Sequence, residues 1–529
     1  MSAPPTTGRY SATLQAIKDR RAAAGPLKAG VAAYSESDFF KAPLQQQTGK
    51  PMAKRWDLVD HLSTESKHRK PCTLKQAAKH LKNPGMISLG GGLPSSEYFP
   101  FSELSMRVNM PEEFTESGPS TTPSIGKHDM AFGKDYDLSV ALNYTQATGS
   151  YQMMRWITEH TELLYNPPYA DWGCSQTTGS TAALEMALRM FCEGARKDTV
   201  VTEEFSFATA IETIGPLGVA TVGSAVDGEG LVPEALDHLL STWDEAARGS
   251  RKPHVLYTVP SGQNPTGATQ SAQRRKAVYA VCQKHDVFIL EDEPYYFLQM
   301  PAYQPPAVRA AQPEASAAAP WNLDAFLSSL VPTYVSIDVD GRVMRMDSFS
   351  KVLAPGSRMG WITASAQIIE RFVRHSEVCS QGPSGFSQAA LFSLLDTTWG
   401  HETYLQWLQH VQHEYTRRRN VLLDACEAHL PKDVVSWVPP SAGMFLWMRL
   451  AHDKHPEIGA RSIESIEEEI FNNCIEGGVL AARGSWFRAE SNKPLEALFF
   501  RATYAAASEE NMVKAVERLG AAIRKSFKL

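Results

Sequence analysis

Apolar positions follow two rhythms along this chain. Short, nearly continuous apolar runs end in turns or acids: VLYTVPSGQNPTG at 255–267, VFILEDEPYY at 287–296, and Val343 to Met346. Between them lie stretches with helical spacing, such as TTGSTAALEMALRMFCEGA at 177–195, where Leu184, Leu188 and Phe191 share one face. Continuous rather than alternating strands, separated by helices, predict a parallel sheet covered on both faces. Asn264 and Asp292 are 28 residues apart, about one βαβ unit. Asn264, Asp292 and Lys351 each follow an apolar strand, so all three can meet on the rim beyond the strands' carboxyl ends.

The same spacing predicts helices over 57–81 (broken at Pro71), the end of 141–164, 271–285, much of 366–430 and 508–526. Strands are expected at 438–450, entered through Gly443, and at 498–507. Residues 463–487 read as helix, then strand, then loop. Residues 108–137 are polar and rich in Pro, Gly and Ser, which suggests a surface insertion, and the Ala- and Pro-rich 301–320 suggests a loop. No internal repeat occurs. With 529 residues the chain can hold about two or more domains. The divisions expected are an extension at 1–55, an N-terminal part of a small domain at 56–110, a large domain at 111–370 and a C-terminal small domain at 371–529.

Charge and cysteine usage narrow the function classes. The net charge of −6 comes without a basic stripe, so nucleic-acid binding has little support. No apolar run reaches the roughly 18 residues of a membrane helix. Seven dispersed cysteines, without a CxxC pair, argue against a disulfide framework or a zinc site, and no metal is expected. They suit a reducing compartment, and a cytoplasmic location is expected. Arg9, Lys18, Arg20, Arg21 and Lys28 against Asp19 leave a mitochondrial transit segment as the alternative to a solvated helix.

Candidate chemistry centres on DSFSKVLAPGSRMGW, 347–361. A free lysine, with a pKa near ~10.4, is a poor nucleophile at neutral pH, but becomes useful when desolvated or condensed with a carbonyl cofactor. Lys351 is therefore a candidate Schiff-base lysine, with Ser348, Ser350 and Arg358 placed to hold a phosphate; the alternative is a solvated loop with ordinary charges. Gly179, Ser180 and Thr181 stand where a helix begins, and backbone N–H groups plus the helix dipole suit an anion there. A small-residue cap without a ligand is the competing reading. ISLGGGLPSSEYFPF, 87–101, supplies permissive backbone able to approach a ligand.

Taken together, TGST, TVPSGQNPTG, EDEPYY, SFSK with Arg358, PSAGMFLW and FFRATY resemble the fold-type-I pyridoxal-phosphate aminotransferases. The resemblance is to the branch of fungal aromatic amino-acid and kynurenine/2-aminoadipate aminotransferases, and it covers about residues 57–529. It implies an α/β fold: a large domain with a mostly parallel sheet flanked by helices, and a smaller α/β domain from N- and C-terminal segments. It implies pyridoxal 5'-phosphate as cofactor, with Lys351 as its Schiff-base lysine and general base, and Asp292 beneath the pyridine nitrogen. Tyr295 and Asn264 match the residues at the ring hydroxyl, while Tyr296 reads as packing. Gly179, Ser180, Thr181, Ser348, Ser350 and Arg358 match the phosphate cup; Thr181 departs from the glutamine of some relatives. Phe207 stands where relatives stack a tyrosine on the ring. Tyr144 resembles the residue that reaches the partner subunit's phosphate, which implies a homodimer with shared sites. Arg501 matches the clamp on the substrate carboxylate, with Asn264 also near substrate. Gly91, Gly92 and Leu93 match the substrate mouth. Lys75 lies near the second arginine of some relatives but reads better as a surface lysine.

The implied reaction is ping-pong transfer of the amino group of Phe, Tyr or Trp to a 2-oxo acid, with 2-oxoglutarate expected. Kynurenine or 2-aminoadipate as donor, and another pyridoxal-phosphate reaction such as a β-lyase, remain alternatives. A non-enzymatic DNA-binding regulator has little support, because residues 1–55 are short for such a module and not strongly basic.

Overall fold

The structure is a computed structural model describing residues 8–27, 29–30, 33–43, 49–54, 60–77, 80, 85–111, 114–311 and 321–529. Its packing divides the chain into two compact units. The first is assembled from Met1–Glu193, Phe288–Pro294 and Trp321–Leu408, the second from Gly194–Val287, Tyr295–Pro320 and Gln409–Leu529.

In the first unit the strands run in the order Trp172–Thr177, Gly360–Ser365, Val343–Ser348, Phe288–Asp292. Phe288–Asp292 and Val343–Ser348 are parallel, with Asp292 opposite Met346. Gly360–Ser365 runs antiparallel to both its neighbours. Apart from Gly173, every residue of these four strands is buried, as expected of a sheet covered on both faces. Helix Ser180–Phe191 packs on the sheet through Leu184, Leu188 and Phe191, the face its spacing predicts.

The N-terminal extension departs from the solvated helix expected of it. Helix Arg9–Ala24 buries Leu14 and Ile17. Arg21 pairs with Glu159 and Asp396, and Arg20 with Glu162. Gly8 offers no side chain to cap this helix, and the Asp324 carboxylate instead accepts the N–H of Tyr10 at 2.8 Å and of Ser11 at 3.2 Å. These partners lie more than a hundred residues away, where local charge pattern cannot reveal them. The 108–137 segment is likewise more than a surface insertion: Val108, Ile125 and Tyr136 are buried, and Phe114 meets Trp399 and Trp407 edge-on at 5.7 and 5.3 Å. The helix expected over 57–81 is two short helices, Thr64–His68 and Thr73–Ala77, parted around Pro71. Residues 57–59, 78–79 and 81 of that expectation, and 312–320 of the expected 301–320 loop, lie outside the described residues.

In the second unit Val255–Thr258, Thr199–Glu203 and Ala220–Ser224 are parallel neighbours. Helix Ala272–His285 starts at Ser271, whose hydroxyl accepts the Arg274 N–H at 3.2 Å. A second, antiparallel sheet has the order Val435–Trp437, Phe445–Leu450, Leu498–Thr503, Ala482–Arg483. The strand expected at 438–450 is shorter because 438–444 turns the hairpin between the first two of these strands. At that turn Gly443, with φ +79°, lies against Gly262; a Cβ on Gly443 would stand 2.7 Å from the Gly262 carbonyl oxygen. That backbone contact seats the loop leading to Asn264. Helix Glu509–Phe527 closes the unit, with Ser508 as its cap.

Candidate active site

In the first unit the strand Val343–Ser348 runs into a tight turn, Phe349–Lys351. Ser348 caps it: its oxygen accepts the Ser350 N–H at 3.1 Å, and its hydroxyl donates to Ser350 Oγ at 2.8 Å. Phe349, fully buried, packs against Trp361 at 5.2 Å and so anchors the turn in the core. Lys351 follows it, half-buried, and its ammonium makes no hydrogen bond or ion pair among the described residues. Desolvation lowers its pKa, repulsion from Arg358 adds to this, and Asp292 pulls the other way. Asp292 is buried at the end of the adjacent parallel strand. Two parallel strands thus deliver an amine of lowered pKa and a buried carboxylate to the same edge.

A donor-rich cup adjoins the turn. Arg358, at φ +46°, is exposed and donates to Thr178 O at 3.0 Å, Pro355 O at 2.9 Å and Ser350 Oγ at 3.4 Å. All three acceptors are neutral, and no carboxylate pairs with Arg358 among the described residues. Gly179, at φ +101°, precedes the helix Ser180–Phe191, and a Cβ there would fall 2.5 Å from Arg358 Nη2. The Ser180 hydroxyl is buried without a hydrogen-bond partner. Thr181 is exposed. An open helix N-terminus, the hydroxyls of Ser180, Thr181, Ser348 and Ser350, and an arginine that lacks an acid fit a phosphate group.

Behind the turn lies a network that sequence reasoning missed. Arg345, fully buried, donates to Asp347 at 2.9 and 2.8 Å, to Glu291 at 3.3 Å and to Tyr165 Oη at 2.9 Å. Its guanidinium also lies 4.1 Å from the centre of the Tyr165 ring. Burial by itself would lower the pKa of Arg345, but Asp347, Tyr165 and the glutamates outweigh it and raise it. The strand Val343–Ser348 therefore carries its charged residues on one face and sends Ser348 and Lys351 onward from a fixed register.

The second unit assembles another set. Arg501, in strand Leu498–Thr503, donates from Nη1 to Asn264 Oδ1 at 2.7 Å. Its guanidinium sits 4.4 Å from the Phe445 ring centre and 4.6 Å from that of Phe487. Burial lowers its pKa, while Tyr295 pulls it up. No carboxylate meets Arg501 among the described residues, and its Nε is buried without a hydrogen-bond partner. Tyr295 is buried and meets Phe445 edge-on at 5.8 Å. Phe207 is half-buried at the start of helix Ala208–Ile214. Tyr296, read as packing, is buried edge-on against Phe297 at 5.1 Å.

The structure thus brings Lys351, Asp292, Ser348, Ser350, Arg358, Gly179 and Ser180 together in one unit, and Arg501, Asn264 and Tyr295 in the other. Gly92 stands exposed, with open space where a side chain would be, and Leu93 is also exposed. Tyr144 is exposed, its N–H bonded to its neighbour Asn143. Lys75 is half-buried rather than a free surface lysine, its ammonium on the Thr145 carbonyl. No cluster of three or more His, Cys, Asp or Glu among the described residues could hold a metal, and no described helix is long and apolar enough to cross a membrane.

Comparison with known proteins places this geometry. Residues 174–519 match the family of class I and II aminotransferases. The chain is 43% identical over 484 residues to an aromatic amino acid aminotransferase of Schizosaccharomyces pombe, covering 89% of this chain and 98% of that one. It is 34% identical over 443 residues to an L-tyrosine:2-oxoglutarate aminotransferase of Tapinella panuoides, covering 82% and 81% of the two chains. The crystal structure of aminotransferase Aro8 from Candida albicans superposes with a TM-score of 0.83 at 41% identity, covering 91% of this chain and all of that one. A chain matched by the family over these residues, with an α/β structure superposing on a solved member, belongs to the class I and II aminotransferases.

Proposed function

We propose that this aminotransferase uses pyridoxal 5'-phosphate to move the amino group of an aromatic amino acid (Phe, Tyr or Trp) to a 2-oxo acid, 2-oxoglutarate, in a ping-pong cycle. The observation that carries the reading is Lys351: a half-buried ammonium with a lowered pKa, beside Asp292 and next to a cup suited to phosphate. The printed names of the fungal relatives support the choice of substrates.

The cup of Gly179, Ser180, Thr181, Ser348, Ser350 and Arg358 would hold the cofactor's phosphate, and Asp292 its ring nitrogen. When bound, the cofactor supplies a carbonyl that condenses with amines and a ring that accepts electrons. Lys351 contributes an amine that is already partly desolvated, so less of it is locked as ammonium at neutral pH. Lys351 Nζ would take the proton from the substrate's α-carbon and return it elsewhere, as general base and then acid. Asp292, buried, would stabilise a proton on the ring nitrogen. Arg501, flanked by two phenyl rings and oriented by Asn264, grips the α-carboxylate of the amino acid and then of the 2-oxo acid.

Tyr144 would complete the site of a second copy, making the working form a homodimer. Its exposed ring, and the exposed side chains of Ile87 and Leu89 in the Gly91–Gly92 arm, support a covering partner of this kind. The seven cysteines are dispersed along the sequence without a CxxC pair, which supports a cytoplasmic location. A panel of amino donors assayed for glutamate formed from 2-oxoglutarate tests the substrate reading. Turnover with phenylalanine, tyrosine and tryptophan is expected; turnover confined to aliphatic or acidic donors would overturn it.

A further inference from the structure

Within the second unit, one face of the antiparallel sheet carries a row of alternating charge and aromatic side chains. Trp447 stands opposite Arg501 and Arg449 opposite Phe499, so all four project from the same face. Trp447 stacks on Phe499 at 5.0 Å with an interplanar angle of 14°, and Phe205 meets both at 5.2 Å. Beside this wall opens a cleft of about 900 Å³, in the size range of small-molecule sites, and Arg501 is not part of its lining.

The lining is more specific than its size. Phe205, Trp447 and Phe499 give it an aromatic wall, and Arg449 and Glu204 are among its charged members. The Arg449 guanidinium makes no hydrogen bond or ion pair among the described residues. Arg488, also in the lining, donates to the Pro494 carbonyl at 2.9 Å, and its charge attracts that of Glu204 across the cleft. Glu204 and Glu496 both face the cleft; burial, followed by repulsion from Glu496, raises the Glu204 pKa, with Arg488 and Lys493 opposing the rise. An exposed Arg449 guanidinium without an acid among the described residues, two carboxylates that repel each other, and a stacked indole–phenyl wall make three complementary demands: an anion, a cation and a flat ring.

We propose that this cleft is a second, non-catalytic site that binds an intact aromatic amino acid. Arg449, with Arg488, takes the α-carboxylate; Glu204 and Glu496 take the ammonium, which relieves their mutual repulsion; the aromatic side chain lies against Trp447 and Phe499. No bond is made or broken. The site is distinct from the Arg501 set, although Trp447 reaches it through Phe487, which lies 6.0 Å from Trp447 and 4.6 Å from the Arg501 guanidinium.

Calorimetric titration of L-phenylalanine into the holoenzyme tests this. An Arg501→Ala background weakens the proposed catalytic grip, and prior borohydride reduction blocks transfer. One bound phenylalanine per chain is expected. Arg449→Ala, on an exposed side chain, should weaken it about tenfold, and Glu204→Gln should also weaken it. Phenylpyruvate, which lacks the ammonium, and leucine, which lacks the ring, should both bind less tightly. Absence of binding at millimolar phenylalanine would overturn the proposal, as would affinity indifferent to both substitutions or equal affinity for phenylpyruvate. The titration counts bound ligand, so it stands or falls separately from the aminotransfer reading.

Discussion

Arg501 donates to Asn264 Oδ1 at 2.7 Å, joining a strand near the end of the chain to the loop after Val255–Thr258. The amide fixes the fork of the guanidinium but brings no negative charge. With Phe445 and Phe487 on its faces and burial lowering its pKa, the arginine is held in a setting that an incoming carboxylate completes.

Arg501→Ala should therefore lower kcat/KM for both the amino acid and the 2-oxo acid by about a hundredfold or more, equivalent to roughly 3 kcal/mol of lost charge-assisted bonding. Arg501→Lys should recover little, because an ammonium cannot reproduce the planar fork. Steady-state kinetics with each substrate varied separately checks this. A loss confined to one of the two substrates would be inconsistent with a shared clamp.

The strand Thr199–Glu203 ends in Glu203, fully buried, whose carboxyl burial pushes up to about 7, against the opposing hydrogen bond from Thr258. The folded state thus binds this proton more tightly than the unfolded chain does. Its contribution to stability is fully present below the ordinary value of 4.5 and is lost as pH rises through about 7. The swing is on the order of 3 kcal/mol. Denaturant unfolding between about pH 5 and about pH 8 should show the decline, and Glu203→Gln should flatten it.

Replacing Arg345 with Met removes the cation shared by Asp347 and Glu291 and leaves both acids buried. The expected cost is roughly 3–5 kcal/mol. A drop in the denaturant midpoint, together with weaker cofactor retention because Ser348 and Lys351 lose their register, is the outcome to look for.

Asp324→Ala removes the carboxylate that caps helix Arg9–Ala24. About 1 kcal/mol of local stability should go with it. Hydrogen exchange should quicken in residues 9–24, while turnover changes little.

The parallel strands were legible because Val255–Thr258 and Phe288–Asp292 are apolar throughout or nearly so, and because the turn motifs that follow them carry the chemistry. Trp172–Thr177 and Gly360–Ser365 were not. Their sequences, WGCSQT and GWITAS, look half polar, yet Ser175, Gln176, Thr177, Thr363 and Ser365 are all buried. Arg345 and Glu291 carried no sign of burial in the sequence, since only the fold brings Tyr165 to Arg345 from 180 residues away, and Glu291 to it from 54. The residues of the phosphate cup are close neighbours within two motifs and could be named in advance. The Arg501–Asn264 bond, spanning 237 residues, could not.

The central claim is that Lys351 carries the cofactor. Borohydride reduction of the purified holoenzyme, followed by peptide mapping, tests it most directly. A pyridoxyl group on Lys351 alone is expected; a label on another lysine, or no label on a protein that still turns over amino donors, would rule that role out.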